Sequence, residues 1–327
     1  MKVTAFDERV TLTGNAGKNS FQRLPDEVIE KLPHLKGLAF NTSGIRLSFY
    51  TDSRKMGIFS RQSTIPTYSH MPRISMSGYD LYIDKKFVQY LCPSYGENEY
   101  TAELELNQKN EKILVDLYFP LYGDVEAFEM TLDDDCLLEP NTYSLYDKQI
   151  VFYGSSITQG GCASRNGLSY VNMLSTMLDT RVYNLGFSGN AKGEREMAEY
   201  ISSLDMSLLV YDYDHNAGPA HLAMTHDPFF TLIRKKHPKL PVIFASRCDF
   251  EKDTLESTKN RRIIMQTYLE ALNDGDQHVY FVDGREMFKD EEREMCTVDN
   301  CHPNTLGFYR MAKTFIKTIK QAMEESL

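Results

Sequence analysis

The sequence predicts an α/β protein in two parts: an N-terminal β-sandwich, then a parallel sheet covered by helices on both faces. Three observations predict it. Apolar and polar residues alternate through the first half. Five short, continuous apolar runs follow in the second half. Stretches long enough for helices separate those runs.

In the first half, Ile45, Leu47 and Phe49 alternate with Arg46, Ser48 and Tyr50, and Thr51-Asp52-Ser53 then reads as a turn. Ala102, Leu104 and Leu106 alternate with Thr101, Glu103 and Glu105, and Val115, Leu117 and Phe119 repeat the pattern. A period of two with turn residues between segments marks strands with one buried face. After about Tyr146 the pattern changes. Ile150-Val151-Phe152-Tyr153, Val182-Tyr183-Asn184-Leu185, Leu208-Leu209-Val210-Tyr211, Val242-Ile243-Phe244-Ala245 and Val279-Tyr280-Phe281-Val282 read as strands buried on both faces. Ala312, Phe315, Ile316 and Ile319 fall at the spacing of a helix face. At roughly 150 residues per domain, the chain of 327 residues holds two. The change of period places them at 1–146 and 147–327.

A net charge of -10 and the lack of a dense basic run exclude a nucleic-acid partner. No run of 18 apolar residues is present to span a membrane. The N-terminus brings Asp7-Glu8 before any apolar core, so no secretory signal is read and the cytoplasm is expected. The six cysteines are scattered without a CxxC pair, so reduced thiols are expected. Cys296, Cys301 and His302 cluster in sequence, but no second ligand cluster accompanies them, and no metal is expected.

In an open parallel sheet the reactive groups gather beyond the carboxyl ends of the strands. Those ends read Gly154-Ser155-Ser156, Gly186-Phe187-Ser188-Gly189-Asn190, Asp212-Tyr213-Asp214-His215-Asn216, Ser246-Arg247-Cys248-Asp249 and Asp283-Gly284. Two serines just before a helix are candidates for a nucleophile, beside backbone N–H groups that the first helical turn leaves unpaired. A serine there serves equally as a helix N-cap. Asp299 and His302, three residues apart before the last helix, can form a carboxylate-oriented imidazole. A surface aspartate followed by a histidine and Pro303 at a helix start has the same spacing. The other histidines (His34, His70, His221, His226, His237 and His278) have no better carboxylate partner along the chain. Gly-x-Ser-x-Gly is absent.

Taken together, these blocks resemble the SGNH hydrolases, also called the GDSL lipase/acylhydrolase family. The segment 154–160 (GSSITQG) is similar to the first family block, Asn184 to Asn190 to the second, Tyr213-Asp214-His215-Asn216 to the third, and Asp299-Asn300-Cys301-His302 to the Asp-x-x-His block. The resemblance implies a flavodoxin-like order for the five strands. It implies Ser156 as nucleophile, His302 as base and Asp299 as its orienter. The oxyanion would be held by the N–H groups of Ser156 and Gly189 and the amide of Asn216. The family's Gly-Asp-Ser is here Gly154-Ser155-Ser156, and its Gly-x-Asn-Asp is Asp214-His215-Asn216-Ala217. Asp214, His215 and Arg247, at two strand ends, are expected as substrate contacts. For Arg247 a salt bridge with a nearby acid is the alternative.

Gly78-Tyr79-Asp80-Leu81-Tyr82 resembles the Gly-x-Asp-Leu-Tyr signature of a sandwich, jelly-roll-like, found ahead of some SGNH domains. Relatives of this layout imply an esterase that deacetylates a carbohydrate or a similar short-chain ester. An acyltransferase using the same residues is the alternative, and a non-catalytic carbohydrate-binding protein a further one. No cofactor is implied. The partner is a small-molecule or oligosaccharide ester, and a homo-oligomer is compatible with the sequence. A short connection between the halves predicts that the sandwich helps to form the substrate site.

Overall fold

The computed structural model describes residues 1–106, 111–143, 148–249, 251–289 and 291–325, without the side chains of residues 291 and 292. Tyr146 and Asp147, where the change of period puts the boundary, lie outside the described residues.

Alternation in the first half folds into two antiparallel sheets. Its strands are β1 (Lys2–Thr4), β2 (Thr11–Thr13), β3 (Arg46–Thr51), β4 (Lys55–Gln62), β5 (Tyr79–Ile83), β6 (Lys86–Leu91), β7 (Glu99–Glu105), β8 (Ile113–Tyr118), β9 (Val125–Leu132) and β10 (Leu138–Pro140). One sheet has the order β1-β9-β4-β7, and the other has β10-β3-β8-β5-β6 with β2 paired to β3. Leu47, Phe49, Ile58, Leu81, Val115, Phe119 and Met130 fill the space between them. Three short helices are inserted: α1 (Asp26–Lys31), α2 (Lys36–Ala39) and α3 (Arg73–Ser77).

The second half forms β11 (Gln149–Gly154), α4 (Ser156–Gln159), α5 (Tyr170–Leu178), β12 (Val182–Gly186), α6 (Arg195–Ser203), β13 (Met206–Asp212), α7 (Pro219–Lys236), β14 (Val242–Ala245), α8 (Thr254–Asn273), β15 (Val279–Val282) and α9 (Thr305–Glu324). The five strands are parallel in the order β12-β11-β13-β14-β15, the flavodoxin-like arrangement. Gly154 lies opposite both Gly186 and Asp212, so three strands end at one level. Apolar side chains pack on both faces of this sheet.

The expectation of one buried face holds for β7 but fails for β3 and β8, where Arg46, Ser48 and Asp116 are also buried; β4 and β9 show the same alternation as β7. Two segments cover the outer face of the six-stranded sheet: the end of the first half, where Asn141 donates to Ser48 Oγ at 2.9 Å and Arg46 donates to Tyr143 Oη at 2.8 Å, and the second half. Tyr118 Oη lies 2.6 Å from Thr176 Oγ1 on α5. The Gly-x-Asp-Leu-Tyr segment is part of this seam. Arg165 Nη1 donates to Asp80 Oδ2 and to Tyr82 Oη, both at 2.8 Å. The Gly167 N–H donates to Asp80 at 2.8 Å, and the Asn166 amide donates to the Gly78 carbonyl. A Cβ on Gly167 would come within 2.2 Å of the Tyr82 hydroxyl, so only glycine fits there.

The two halves also share cores. Val28, Ile29, Leu32, Leu35 and Ala39 pack against one face of the parallel sheet, while Met71, Met76, Leu121 and Tyr122 join the core of the other face. Arg23 is fully buried between them. It donates to the carbonyls of Leu38 and Asn41 at 2.6 Å and to those of Asn184 and Gly186 at 2.8 Å. Its guanidinium lies 4.9 Å from the Phe187 ring centroid. Burial pushes its pKa down to about 10, so the cation persists at neutral pH. Arg23→Lys should lower the unfolding free energy by about 2 kcal/mol or more, because an ammonium cannot reproduce the planar fork and leaves buried carbonyls unpaired. Urea unfolding measures this, and an unchanged midpoint would contradict it.

Candidate active site

The carboxyl edge of the parallel sheet brings the sequence-predicted residues together. Beyond β11, Ser155 is the N-cap of α4: its Oγ accepts the Ile157 N–H at 3.2 Å, and the residue is fully buried. The capping role therefore falls on Ser155, which frees the Ser156 hydroxyl. Ser156 Oγ lies 2.9 Å from His302 Nε2.

His302 and Asp299 sit in a tight turn ahead of α9. The Val298 N–H donates to the His302 carbonyl at 2.9 Å, and Asn300 takes the left-handed conformation (φ 61°) that closes the turn. Asp299 Oδ2 receives the His302 Nδ1–H at 2.8 Å. Its Oδ1 accepts the backbone N–H groups of Cys301 at 3.1 Å and His302 at 2.7 Å. Burial raises the pKa of Asp299, but these hydrogen bonds outweigh burial and hold the carboxyl below its ordinary value. The carboxylate fixes the tautomer that leaves Nε2 to accept the Ser156 proton.

Donors for an oxyanion line the neighbouring strand ends. Gly189 has φ 69°, and a Cβ there would meet nothing within 4 Å, so its conformation rather than crowding demands glycine. Among the described residues the N–H groups of Ser156 and Gly189 show no hydrogen-bond acceptor. The Asn216 amide gives one N–H to the Phe187 carbonyl at 3.1 Å, which ties the loop after β13 to the loop after β12 and leaves its second N–H free of that bond. Gln159 holds the same loop from α4, since its Oε1 accepts the Ser188 N–H at 3.0 Å.

Asp214 and Arg247 are buried, the His215 side chain is 5% exposed, and these three residues, expected as substrate contacts, join one network with Asp249. Arg247 makes a two-pronged contact with Asp249 at 2.8 and 2.9 Å and reaches Glu256 at 3.2 Å. His215 Nε2 lies 2.8 Å from Asp249 Oδ1, and Asp214 Oδ2 accepts the Arg247 N–H at 3.1 Å. Burial disfavours charge on Asp249, yet His215 and Arg247 outweigh it and hold the carboxyl well below its usual range. Burial likewise opposes charge on His215, and Asp249 reverses this and raises its pKa. Asn260 holds the loop that carries Asn216, donating to the carbonyls of Asp214 and Ala217 at 3.1 Å. Beside it, burial pushes Asp212 up to about 7, with Tyr170 and Thr158 hydroxyls as neutral donors.

Sequence reasoning missed the sandwich side chains that face the site. His70 follows β4, and its ring centroid lies 5.7 Å from that of His302. Tyr68 lies 6.0 Å from His70 and 5.9 Å from Tyr122, edge-on to the latter. The Tyr122 hydroxyl sits 3.5 Å from the Ser156 carbonyl and contacts Ser188. No local pattern marks these residues, because their partners lie far along the chain.

A parallel sheet in this order, with a hydroxyl, an imidazole and a carboxylate aligned at its carboxyl edge, is the architecture of the SGNH-type hydrolases. The chain belongs to the GDSL-like lipase/acylhydrolase family, whose model matches residues 147–320. Residues 3–138 match the GxDLY region, the N-terminus of SGNH-hydrolase-type esterases. Among solved structures, a Bacteroides ovatus protein assigned as a GDSL-like lipase is 27% identical, with a TM-score of 0.88 over 99% of this chain and 98% of that one. The salicylyl-acyltransferase SsfX3 of a tetracycline biosynthetic pathway is 19% identical, with a TM-score of 0.81 over 98% and 97%. A family two carbohydrate esterase from Cellvibrio japonicus shares the fold at 14% identity, with a TM-score of 0.66 over 99% and 98%. No curated protein sequence matches at a significant level. Among the described residues no helix is long and apolar enough to cross a membrane.

The division of labour between the two serines is testable by stability alone. Ser155→Ala should cost about 1 kcal/mol, the usual loss for an N-cap. Ser156→Ala should change stability less, since its hydroxyl caps no helix. Denaturant midpoints of the two variants check this, and the reverse order would overturn it.

Proposed function

We propose that the chain is a serine esterase that removes short acyl groups, acetyl above all, from a carbohydrate or a comparable alcohol. The observation that carries this reading is the 2.9 Å contact between Ser156 Oγ and His302 Nε2, with Asp299 2.8 Å behind the ring. His302 takes the Ser156 proton as Oγ attacks the ester carbonyl carbon. The tetrahedral oxyanion is held by the N–H groups of Ser156 and Gly189 and by the free N–H of Asn216. Collapse breaks the bond to the alkoxy oxygen, which leaves with the proton from His302. Water, deprotonated by His302, then attacks the acyl-serine; the acid departs and Ser156 regains its proton. Protein groups alone carry each proton and each charge in this scheme.

The substrate class rests on the walls of the site. Tyr68, His70 and Tyr122 put polar-edged aromatic rings from the sandwich beside His302. Such rings stack on sugar faces and offer hydrogen-bonding edges. A carbohydrate esterase and an acetyl xylan esterase share the fold. Transfer of the acyl group to an alcohol would use the same residues, as in an acyltransferase; partition of product between acid and new ester separates the two.

Ser156→Ala and His302→Ala should each lower kcat on 4-nitrophenyl acetate by about 10³-fold or more, and the double variant should be little worse than either. Additive losses would show that the two groups do not act as a unit. A serine-directed phosphonate should label Ser156, and labelling of Ser155 would sink the assignment. Tyr68→Ala should raise KM for an acetylated oligosaccharide by about tenfold while changing kcat/KM for 4-nitrophenyl acetate less than threefold. Equal losses on both substrates, or faster cleavage of long-chain than acetyl esters by the wild type, would remove the carbohydrate from this reading.

A further inference from the structure

We propose that His70, Cys162 and His302 form a site for a soft divalent cation, typified by Zn²⁺, and that its occupancy arrests chemistry at Ser156. The arrest rests on the hydrolytic reading above; the site itself does not. The three residues come from separate elements: the segment after β4, the turn after α4, and the turn before α9. Their ligand atoms nevertheless lie within 4.8 Å of one another. Two imidazoles and a thiol are the donor types that zinc prefers. A tetrahedral site with ordinary zinc–nitrogen and zinc–sulfur bonds holds its ligand atoms about 3.4–3.7 Å apart. The contraction required is therefore about one ångström. Both imidazoles are half-buried, and His70 lies outside any helix or strand, so side-chain rotation supplies it. Water fills the fourth position.

Geometry also makes cation and catalysis exclusive. His302 Nδ1 is engaged by Asp299, so the nitrogen open to a cation is Nε2. That is the nitrogen on which Ser156 Oγ sits at 2.9 Å. A cation there removes the base. The Asp299 carboxylate behind a metal-bound imidazole is moreover the arrangement that strengthens such a ligand. Cys162 has no part in acyl transfer, yet its backbone is held at φ 70°, which is uncommon for a residue with a Cβ. Its side chain is buried beside the site rather than in open solvent. Binding from the thiol form follows M²⁺ + Cys162–SH + two neutral imidazoles → complex + H⁺.

The test uses the full chain, stripped with a chelator and titrated with Co²⁺ and with Zn²⁺. Wild type should bind one Co²⁺ with a thiolate-to-cobalt charge-transfer band in the near ultraviolet. Zn²⁺ should suppress 4-nitrophenyl acetate hydrolysis, and chelator should restore it. Cys162→Ser should hydrolyse the ester normally in zinc-free buffer, lose the band, and need about tenfold more Zn²⁺ or higher for the same inhibition. His70→Gln, a second variant that leaves Cys162 in place, should weaken Co²⁺ binding by a similar factor. Absence of the band in wild type, or equal Co²⁺ affinity in both variants and wild type, overturns the site. A bound cation with full esterase activity overturns the arrest. A band in a protein without esterase activity upholds the site and overturns the hydrolytic reading, and the arrest with it.

Discussion

A buried guanidinium organises this molecule. Taking Arg23 out of water costs several kcal/mol unless every donor finds an acceptor. Among the described residues no carboxylate hydrogen-bonds it; four backbone carbonyls do, two from the N-terminal segment and two from β12. Those acceptors are fixed in space only when both halves are folded and docked. Gly186 ends β12 and the loop after it presents Gly189, so the same contact that joins the halves also sets the backbone beside Ser156. Gln159 repeats the logic from the other side. Its amide nitrogen donates to Asn41 and Leu121 of the first half, and its oxygen accepts from Ser188.

Much of the architecture was legible in the sequence because it is governed by local periods. The five apolar runs became β11 to β15, and the spacing of Ala312, Phe315 and Ile319 became the buried face of α9. Illegible were the features set by contacts between distant segments. Ser48 and Arg46 read as an exposed face because their covering partners come from elsewhere in the chain. His34 found its carboxylate in Glu194, 160 residues away. Arg23 precedes Asp26 and Glu27 in the sequence, but its acceptors are backbone carbonyls, two of them from the distant β12, which no local pattern marks.

The site divides in the same way. Asp299 and His302 are three residues apart and share one turn, so their pairing is written locally. The residues alone offered both Ser155 and Ser156 and the family resemblance implied Ser156; cap geometry gives the Ser155 hydroxyl to the helix and leaves that of Ser156 facing the imidazole. Arg247 was balanced between salt bridge and substrate contact; its donors point to Asp249 and Glu256. The aromatic wall of Tyr68, His70 and Tyr122 depends on how the sandwich docks, and docking has no period.

The sharing of cores has a consequence for biosynthesis. Arg23 and its acceptors on β12 are separated by 161 and 163 residues. At ribosomal speeds of about 5–20 residues per second, the N-terminal segment emerges roughly 8–30 s before the strand it must meet. Throughout that interval Val28, Ile29, Leu32 and Leu35 have no sheet to cover, because their binding face has not been translated. The nascent chain thus carries an apolar segment that cannot be buried natively until β12 emerges. In the finished protein Val28, Ile29, Leu32 and Leu35 are buried, so shielding of this apolar face is needed only while the chain is being made.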